Sequence, residues 1–157
     1  MGIKLVCKDI DPKGNCTYVV KGETMEEFKT NLTNHAKTVH GYTDEQINDP
    51  KMMAAVMAAI KMPHFVVLGT FTQKRIETIK ELPDNLKEAT ELFKSYGVKI
   101  GGLMFTLGRY DVVGLFDAPN AEAITKALLK WGSKGLLRTE TLTGFTGEEM
   151  RKLLKDI

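Results

Sequence analysis

The chain has 157 residues, of which 43% are hydrophobic and 27% charged, a composition typical of a soluble globular protein rather than a disordered one. Its 22 basic and 20 acidic residues are mixed along the sequence, so no basic block predicts a nucleic-acid surface. The longest apolar run, residues 52–60, is far shorter than the roughly 20 residues that span a bilayer. The first residues have no apolar stretch of signal-peptide length, so we expect a cytoplasmic protein with reduced cysteines and no membrane contact.

Both cysteines and two of the three histidines lie close together in the sequence, as Cys7, Cys16, His35 and His40. Two thiolates and two imidazoles are a ligand set that tetrahedral zinc prefers. The alternative interpretation is two buried cysteines and two unrelated helix histidines. Residues 41–63 contain no further cysteine or histidine, and this clustering favours a metal site. The spacing is not that of a DNA-binding zinc finger, because 8 residues separate the cysteines and 18 separate Cys16 from His35.

Two alternating segments, residues 3–7 and 16–20, flank a turn-rich stretch that contains Pro12 and Gly14. This pattern predicts a β-hairpin. A register that pairs Cys7 with Cys16 would place their Cβ atoms roughly 5 Å apart on one face, which suits two ligands of one ion.

A helix is predicted to begin after a capping box at Thr24 and Glu27 and to end at Gly41. Its apolar stripe is formed by Phe28, Leu32, His35, Ala36 and Val39. His40 lies about 140° around the helix axis from His35, so both can reach one ion only if the last turn loosens. A short helical turn after Thr43 and a methionine-rich helix at residues 50–60 follow, the latter interpreted as core packing.

The first segment resembles the short bacterial and archaeal family known as predicted small metal-binding proteins. The resemblance extends over about residues 1–60 and is carried by Cys7, residues 14–16 (GNC), residues 22–24 (GET), His35-Ala36 and His40-Gly41. It implies the same four metal ligands and no established reaction or partner.

The helix break at Lys61-Met62-Pro63 predicts a boundary between a metal module at residues 1–62 and a second domain at residues 63–157. In the second domain, strands are predicted at 65–71, 98–107, 110–116 and 137–143, with helices between them and at the end. The order βαββαβ indicates a ferredoxin-like fold, so the whole chain is α+β, a ββα module followed by this domain. Helices cover only one face of such a sheet, and the open face predicts a homo-oligomer that is at least a dimer.

The second domain resembles the GYD domain. The resemblance covers about residues 63–157 and is carried by residues 106–113 (TLGRYDVV), 118–119 (AP), 138–142 (RTETL) and 148–149 (EE). It implies a dimeric α/β-barrel fold, whose relatives include cofactor-free monooxygenases, small isomerases and ligand-sensing modules. No activity is agreed for the GYD family itself.

The polar residues that could line a ligand site in the second domain are His64, Arg109, Tyr110, Asp111 and Arg138. A tyrosine beside an aspartate can transfer protons when both are buried. Adjacent strand residues face opposite ways, however, so we expect Asp111 to bind turn amides after Gly108 and Arg109 to be solvated. We predict no catalytic residue among them.

The sequence thus supports three hypotheses. The first is a zinc-binding protein with a structural, ligand-binding or sensing role. The second is an isomerase-like or monooxygenase-like enzyme that binds a small molecule in a cavity of the second domain. The third is a redox sensor that uses the thiols of Cys7 and Cys16.

Overall fold

A computed structural model describes residues 2–10 and 14–157 of the chain. The predicted turn around Pro12 lies outside the described residues. The chain divides into two compact units, Met1–Met62 (unit 1) and Pro63–Ile157 (unit 2). Unit 1 contains β1 (Ile3–Val6), a 3₁₀ turn (Cys7–Asp9), β2 (Val19–Gly22), α1 (Met25–His40), α2 (Asp44–Ile47) and α3 (Pro50–Ala59).

Unit 2 contains β3 (His64–Phe71), α4 (Gln73–Glu77), a 3₁₀ turn (Ile79–Glu81), α5 (Leu82–Ser95), β4 (Lys99–Phe105), β5 (Val112–Asp117), α6 (Ala121–Gly132), β6 (Leu137–Gly144), α7 (Gly147–Leu153) and a last 3₁₀ turn (Leu154–Asp156). Within the described part of the chain, no helix is both long and apolar enough to cross a membrane.

Unit 1 is built on the antiparallel pair of β1 and β2, but the predicted pairing of Cys7 with Cys16 is wrong. Val6 is opposite Val19, and Cys7 begins the 3₁₀ turn, where its backbone N–H donates to the carbonyl oxygen of Tyr18 at 2.8 Å. Cys16 precedes β2. The two strands leave a long connection between them, so the cysteines lie beyond the ladder instead of across it.

Helix α1 begins and ends as the sequence predicts, with one difference at its start. The Thr24 hydroxyl accepts from the Glu27 N–H at 3.1 Å, whereas the Glu27 carboxylate accepts from the N–H of Glu23 at 2.9 Å rather than from that of Thr24. At the other end, Val39 is 61% exposed, so its predicted place on the buried stripe is wrong.

A close approach between β2 and α1 fixes the helix against the sheet. A Cβ atom added to Gly22 would lie 2.5 Å from the backbone nitrogen of Phe28, so this contact requires glycine. The core of unit 1 beneath this contact consists of buried side chains from both strands, α1 and α3, namely Ile3, Leu5, Val20, Phe28, Leu32, Val56, Ile60 and Met62.

Unit 2 has the ferredoxin-like arrangement that the sequence predicts. Its antiparallel sheet has the strand order β4-β5-β3-β6. Side chains of α5 and α6 pack with one face of the sheet in a core that includes Phe65, Val67, Phe93, Phe116 and Trp131. The loop between the strands predicted at 98–107 and 110–116 is longer than expected, because β4 ends at Phe105 and β5 begins at Val112.

The other face of this sheet carries exposed apolar side chains. Val66 is opposite both Leu115 and Leu142 in the strand register, so these three share a face, and Phe65 and Val67 lie on the opposite one. Leu115 is 51% and Leu142 44% exposed. Unit 2 by itself therefore leaves apolar surface in contact with water.

Candidate metal centre

Four metal-ligating side chains converge at one point in unit 1. One ligand atom from each of Cys7, Cys16, His35 and His40 lies within 4.8 Å of the others. Cys7 Sγ is 3.2 Å from His40 Nε2, Cys16 Sγ is 3.4 Å from His35 Nε2, and the two Nε2 atoms are 3.3 Å apart. Both cysteines are present as thiols and not as a disulfide.

These separations agree with a tetrahedral zinc site. Bonds of about 2.3 Å to sulfur and about 2.0 Å to nitrogen place two nitrogens about 3.3 Å apart and a nitrogen and a sulfur about 3.5 Å apart. The observed 3.3 Å between the two Nε2 atoms and 3.2–3.4 Å for the two nitrogen–sulfur contacts match these values. A hydrogen-bond network explains the group less well, since it leaves two ring nitrogens facing each other with only weak thiol donors beside them.

Helix α1 presents both histidines near its C-terminal end, where the last turn is wider than a regular α-helical turn. It remains α-helical to His40, and Gly41 then adopts a left-handed conformation with φ 68°. The backbone N–H groups of Gly41 and Tyr42 both donate to the carbonyl oxygen of Ala36, five and six residues earlier instead of four. The expected loosening of the helix at Gly41 is therefore observed, at the point where the two Nε2 atoms come together.

The two cysteines lie near the two ends of the connection between β1 and β2. Cys7 is buried at the start of its 3₁₀ turn, and Cys16 is half-buried before β2. The group thus brings together three segments, namely the 3₁₀ turn, the segment before β2 and the end of α1.

Tyrosine rings flank the two imidazoles. The ring of Tyr18 stacks on His35 with centroids 4.2 Å apart, and Tyr42 stacks on His40 at 5.9 Å. Burial, and then the nearby charge of His40, lower the pKa of His35. A lowered pKa favours the neutral imidazole, which is the form that binds a metal. No pattern in the sequence indicated that either tyrosine would lie at the site.

In unit 2, the structure does not bring the five residues singled out in the sequence together. His64 begins β3, opposite Asp117, whereas Arg138 is opposite Thr70 near the other end of that strand. The His64 Nδ1 atom is 2.6 Å from a carboxylate oxygen of Asp117, and its Nε2 is 3.8 Å from one of Glu149. His64 is thus part of an acidic surface cluster away from the other four.

Tyr110 and Asp111 have separate partners, as expected for neighbours on an extended chain. The Tyr110 hydroxyl donates to Glu140 at 2.8 Å, and this bond is the main reason that the pKa of Tyr110 is raised. The Asp111 carboxylate accepts from the backbone N–H of Phe71 at 2.7 Å. The expectation that Asp111 binds turn amides after Gly108 is therefore wrong, because its side chain points to the end of β3.

Arg109 and Arg138 are exposed, and the guanidinium of Arg109 lies 5.5 Å from the centre of the Tyr110 ring. Among the described residues of unit 2, the buried polar side chain is Arg75, which is 1% exposed and lines a cavity between the sheet and the helices. Sequence reasoning missed Arg75, since a single arginine in a short helix after Thr72 has no pattern that distinguishes it from a solvated one.

Two family models match the chain. The model described as "Protein of unknown function (DUF1059)" matches residues 4–62, and the model described as "GYD domain" matches residues 65–154. A curated relative from Thermus thermophilus, "Glutamine synthetase and cystathionine beta-lyase binding protein", is 34% identical over 95 residues. That alignment covers 60% of this chain and all of the relative.

A solved structure, that of the Mycobacterium tuberculosis leucine response regulatory protein (LrpA), is 13% identical and has a TM-score of 0.36. The similarity covers 77% of this chain and 72% of that chain, and at this level it establishes neither fold nor function. The match to the GYD model does establish a family, because it extends over more than half of the sequence and agrees with the fold of unit 2. The chain belongs to the GYD domain family.

Proposed function

We propose that unit 1 binds one zinc ion through Cys7, Cys16, His35 and His40 and that the ion stabilises its fold. The observation that carries the proposal is the convergence of all four ligand atoms within 4.8 Å. Zinc suits this set because it prefers sulfur and nitrogen ligands in a tetrahedron. We also propose a reducing, cytoplasmic location, in which both thiols would persist.

The role that we assign to the ion is structural. Four protein ligands fill a tetrahedral shell and leave no position for a substrate or an activated water. Unit 1 has a two-stranded sheet and a small core, and domains of this size commonly need a metal or disulfides in addition. The neutral imidazoles and thiolates of the four residues would hold the end of α1 to the segments that flank the two strands.

The ligand set is tested by metal analysis of variants purified without chelator or nickel resin. We expect about one zinc per chain in the unaltered protein and less than about 0.2 in Cys16→Ser and His40→Asn, since three ligands hold the ion far more weakly. His64→Asn is the matched control, because it removes the third histidine of the chain and should leave the zinc content unchanged. Full zinc in Cys16→Ser would show that the four residues are not the ligand set.

For unit 2 we propose a role in protein association, as a second candidate function. The support is the exposed apolar face of its sheet together with the name of the Thermus thermophilus relative, which describes a protein that binds two enzymes. A second copy of this chain is the partner that we favour for this face, in a dimer with the sheets stacked face to face. Burial of an apolar sheet face is a common basis for stable homodimers.

Molar mass measured by light scattering after size-exclusion chromatography tests this association. Leu115→Lys places a charge in the middle of the open face and should convert a dimer to a monomer. Leu129→Lys is the matched control, because Leu129 is 70% exposed on α6, away from this face. A monomeric unaltered protein at micromolar concentration would contradict the homodimer.

A further inference from the structure

A cavity of about 380 Å³ lies in unit 2 between the sheet and helices α5 and α6. Its volume falls within the range of roughly 300–1,000 Å³ that is usual for small-molecule sites. Its walls are mostly apolar, with aromatic rings from β3, α5, β5 and α6, namely Phe71, Phe93, Phe116 and Trp131. Leu103 and Phe105 line the cavity and are also 36% and 48% exposed, so it reaches the surface beside β4.

The guanidinium of Arg75 is buried at this cavity without a full set of partners. Its Nη2 donates to Asn85 Oδ1 at 2.8 Å, and Asn85 lines the same cavity. Among the residues that the structure describes, Nε and Nη1 have no hydrogen-bond partner. A guanidinium has five N–H donors, so most of the hydrogen-bonding capacity of Arg75 is unused.

An arginine in this state is unfavourable for the protein alone. A buried charge without an ionic partner loses hydration that the fold does not replace. Burial lowers the pKa of Arg75, while the more distant carboxylate of exposed Glu81 raises it. A guanidinium nevertheless stays protonated at neutral pH, so its positive charge needs compensation from another source. If Arg75 served only to link α4 to α5, its hydrogen bond to Asn85 would be enough, and the remaining N–H groups would have no role.

We propose that unit 2 binds a small apolar carboxylic acid in this cavity, with its carboxylate on the unpartnered N–H groups of Arg75. One guanidinium neutralises one negative charge, which favours a monocarboxylate over a phosphate ester that brings a second charge into an apolar space. The hydrocarbon part of the ligand would contact the aromatic walls. This inference concerns unit 2 and does not rest on the zinc site of unit 1.

Trp131 provides a direct readout, since it lines the cavity and is the only tryptophan of the chain. Titration of the full chain with benzoate and with hexanoate should change its fluorescence in a saturable way. The matched uncharged amides, benzamide and hexanamide, have nearly the same shape and should bind at least tenfold more weakly. Equal binding of acid and amide would overturn the proposal.

Two variants separate charge recognition from general effects. Arg75→Met has a side chain of similar length, and we expect it to lose the preference for carboxylate over amide. Arg151→Met makes the same exchange at an exposed position on α7 and should retain the full preference. A preference that persists in Arg75→Met would contradict the assignment of Arg75.

A further measurement needs no variant and remains decisive if Arg75→Met does not fold. In the unaltered protein, the nuclear magnetic resonance signal of the Arg75 Nε–H group should shift on addition of benzoate and stay in place on addition of benzamide. An Arg75 signal that does not respond to benzoate at a saturating concentration would overturn the proposal.

Discussion

The two units of this chain differ in how their polar groups are used. In unit 1, four ligand atoms from separate segments meet within 4.8 Å, at the edge of a small core. In unit 2, the polar residues on the sheet pair with one another near its surface, and Arg75, whose guanidinium is buried, lines an apolar cavity. The first arrangement suits one shared cation. The second leaves N–H donors without a partner, as a site for a ligand does.

The difference also concerns stability. Unit 2 has an extended core against a four-stranded sheet, so we expect it to fold without a metal. In unit 1, the zinc proposed at Cys7, Cys16, His35 and His40 would hold the end of α1. Removal of metal should therefore affect the two units very unequally.

Metal removal is the change with the largest expected effect. After chelation, we expect hydrogen-exchange protection of amides in β2 and α1 to fall at least about a hundredfold, because zinc binding is coupled to folding of such modules. Protection in β3 and β5 should change less than about threefold. An equal loss of protection in both units would contradict the proposal that only unit 1 depends on the metal. Unchanged protection in α1 would contradict a structural role for the ion.

Gly22→Ala tests the close contact that positions α1. The added methyl group would meet the Phe28 backbone nitrogen at 2.5 Å, so we expect a loss of roughly 2–4 kcal/mol in the free energy of unfolding of unit 1. Denaturant unfolding measures it. In Gly132→Ala, the control, no atom lies within 4 Å of the new methyl group, and stability should hold or rise. A neutral Gly22→Ala would show that β2 and α1 can move apart without loss.

Asp111→Ala tests the corresponding polar contact in unit 2. Loss of the carboxylate that accepts from the Phe71 N–H at 2.7 Å should lower the free energy of unfolding by about 1–3 kcal/mol. Asp111→Asn keeps an acceptor and should lose less. The control Asp84→Ala removes a carboxylate that is 84% exposed and should change stability by under about 0.5 kcal/mol. A destabilisation as small as that of the control would show that the Asp111 carboxylate does not stabilise unit 2.

The smallest expected effect is a pH dependence at α7. The backbone N–H of Thr146 donates to Glu149, which lowers the pKa of that carboxyl below 4.5, and nearby His64 adds to the shift. A lowered folded-state pKa contributes stability that is present above pH 4.5 and is lost as the pH falls through the folded-state value. Since Glu149 is 41% exposed, we expect well under about 1 kcal/mol.

The free energy of unfolding, measured at pH 6 and pH 3 in the unaltered chain and in Glu149→Gln, isolates the contribution of the Glu149 carboxylate. The difference between the two proteins should be larger at the higher pH. A difference that does not vary with pH would mean that the Glu149 carboxylate has no part in holding α7.

Element types were predictable from the sequence because local signals determine them. Several helices begin after a residue whose short polar side chain accepts from an N–H group of the first turn, a signal that can be read from the sequence. These residues include Thr43, Asp49, Thr72, Asn120 and Thr146. The grouping of Cys7, Cys16, His35 and His40 was predictable because cysteine and histidine are rare in this chain, and four of them within a short stretch are typical of a metal site.

Tertiary details were not predictable. The register of β1 and β2 depends on which side chains reach the core, and so the pairing of Cys7 with Cys16 could not be read from alternation alone. The convergence of His35 and His40 depends on side-chain rotation as well as on the widened turn at Gly41, and an ideal helix wheel contains neither. The burial of Arg75 follows from the packing of α4 and α5 against the sheet, and nothing in the residue type reveals it.

Native mass spectrometry of the intact chain, expressed with zinc in the medium and purified without chelator, is the most direct test of zinc binding by unit 1. Binding of one zinc by two thiolates predicts a mass increase of one zinc less two protons, and Cys16→Ser should lack it. A spectrum of the intact protein that shows only the mass of the polypeptide would contradict the zinc site.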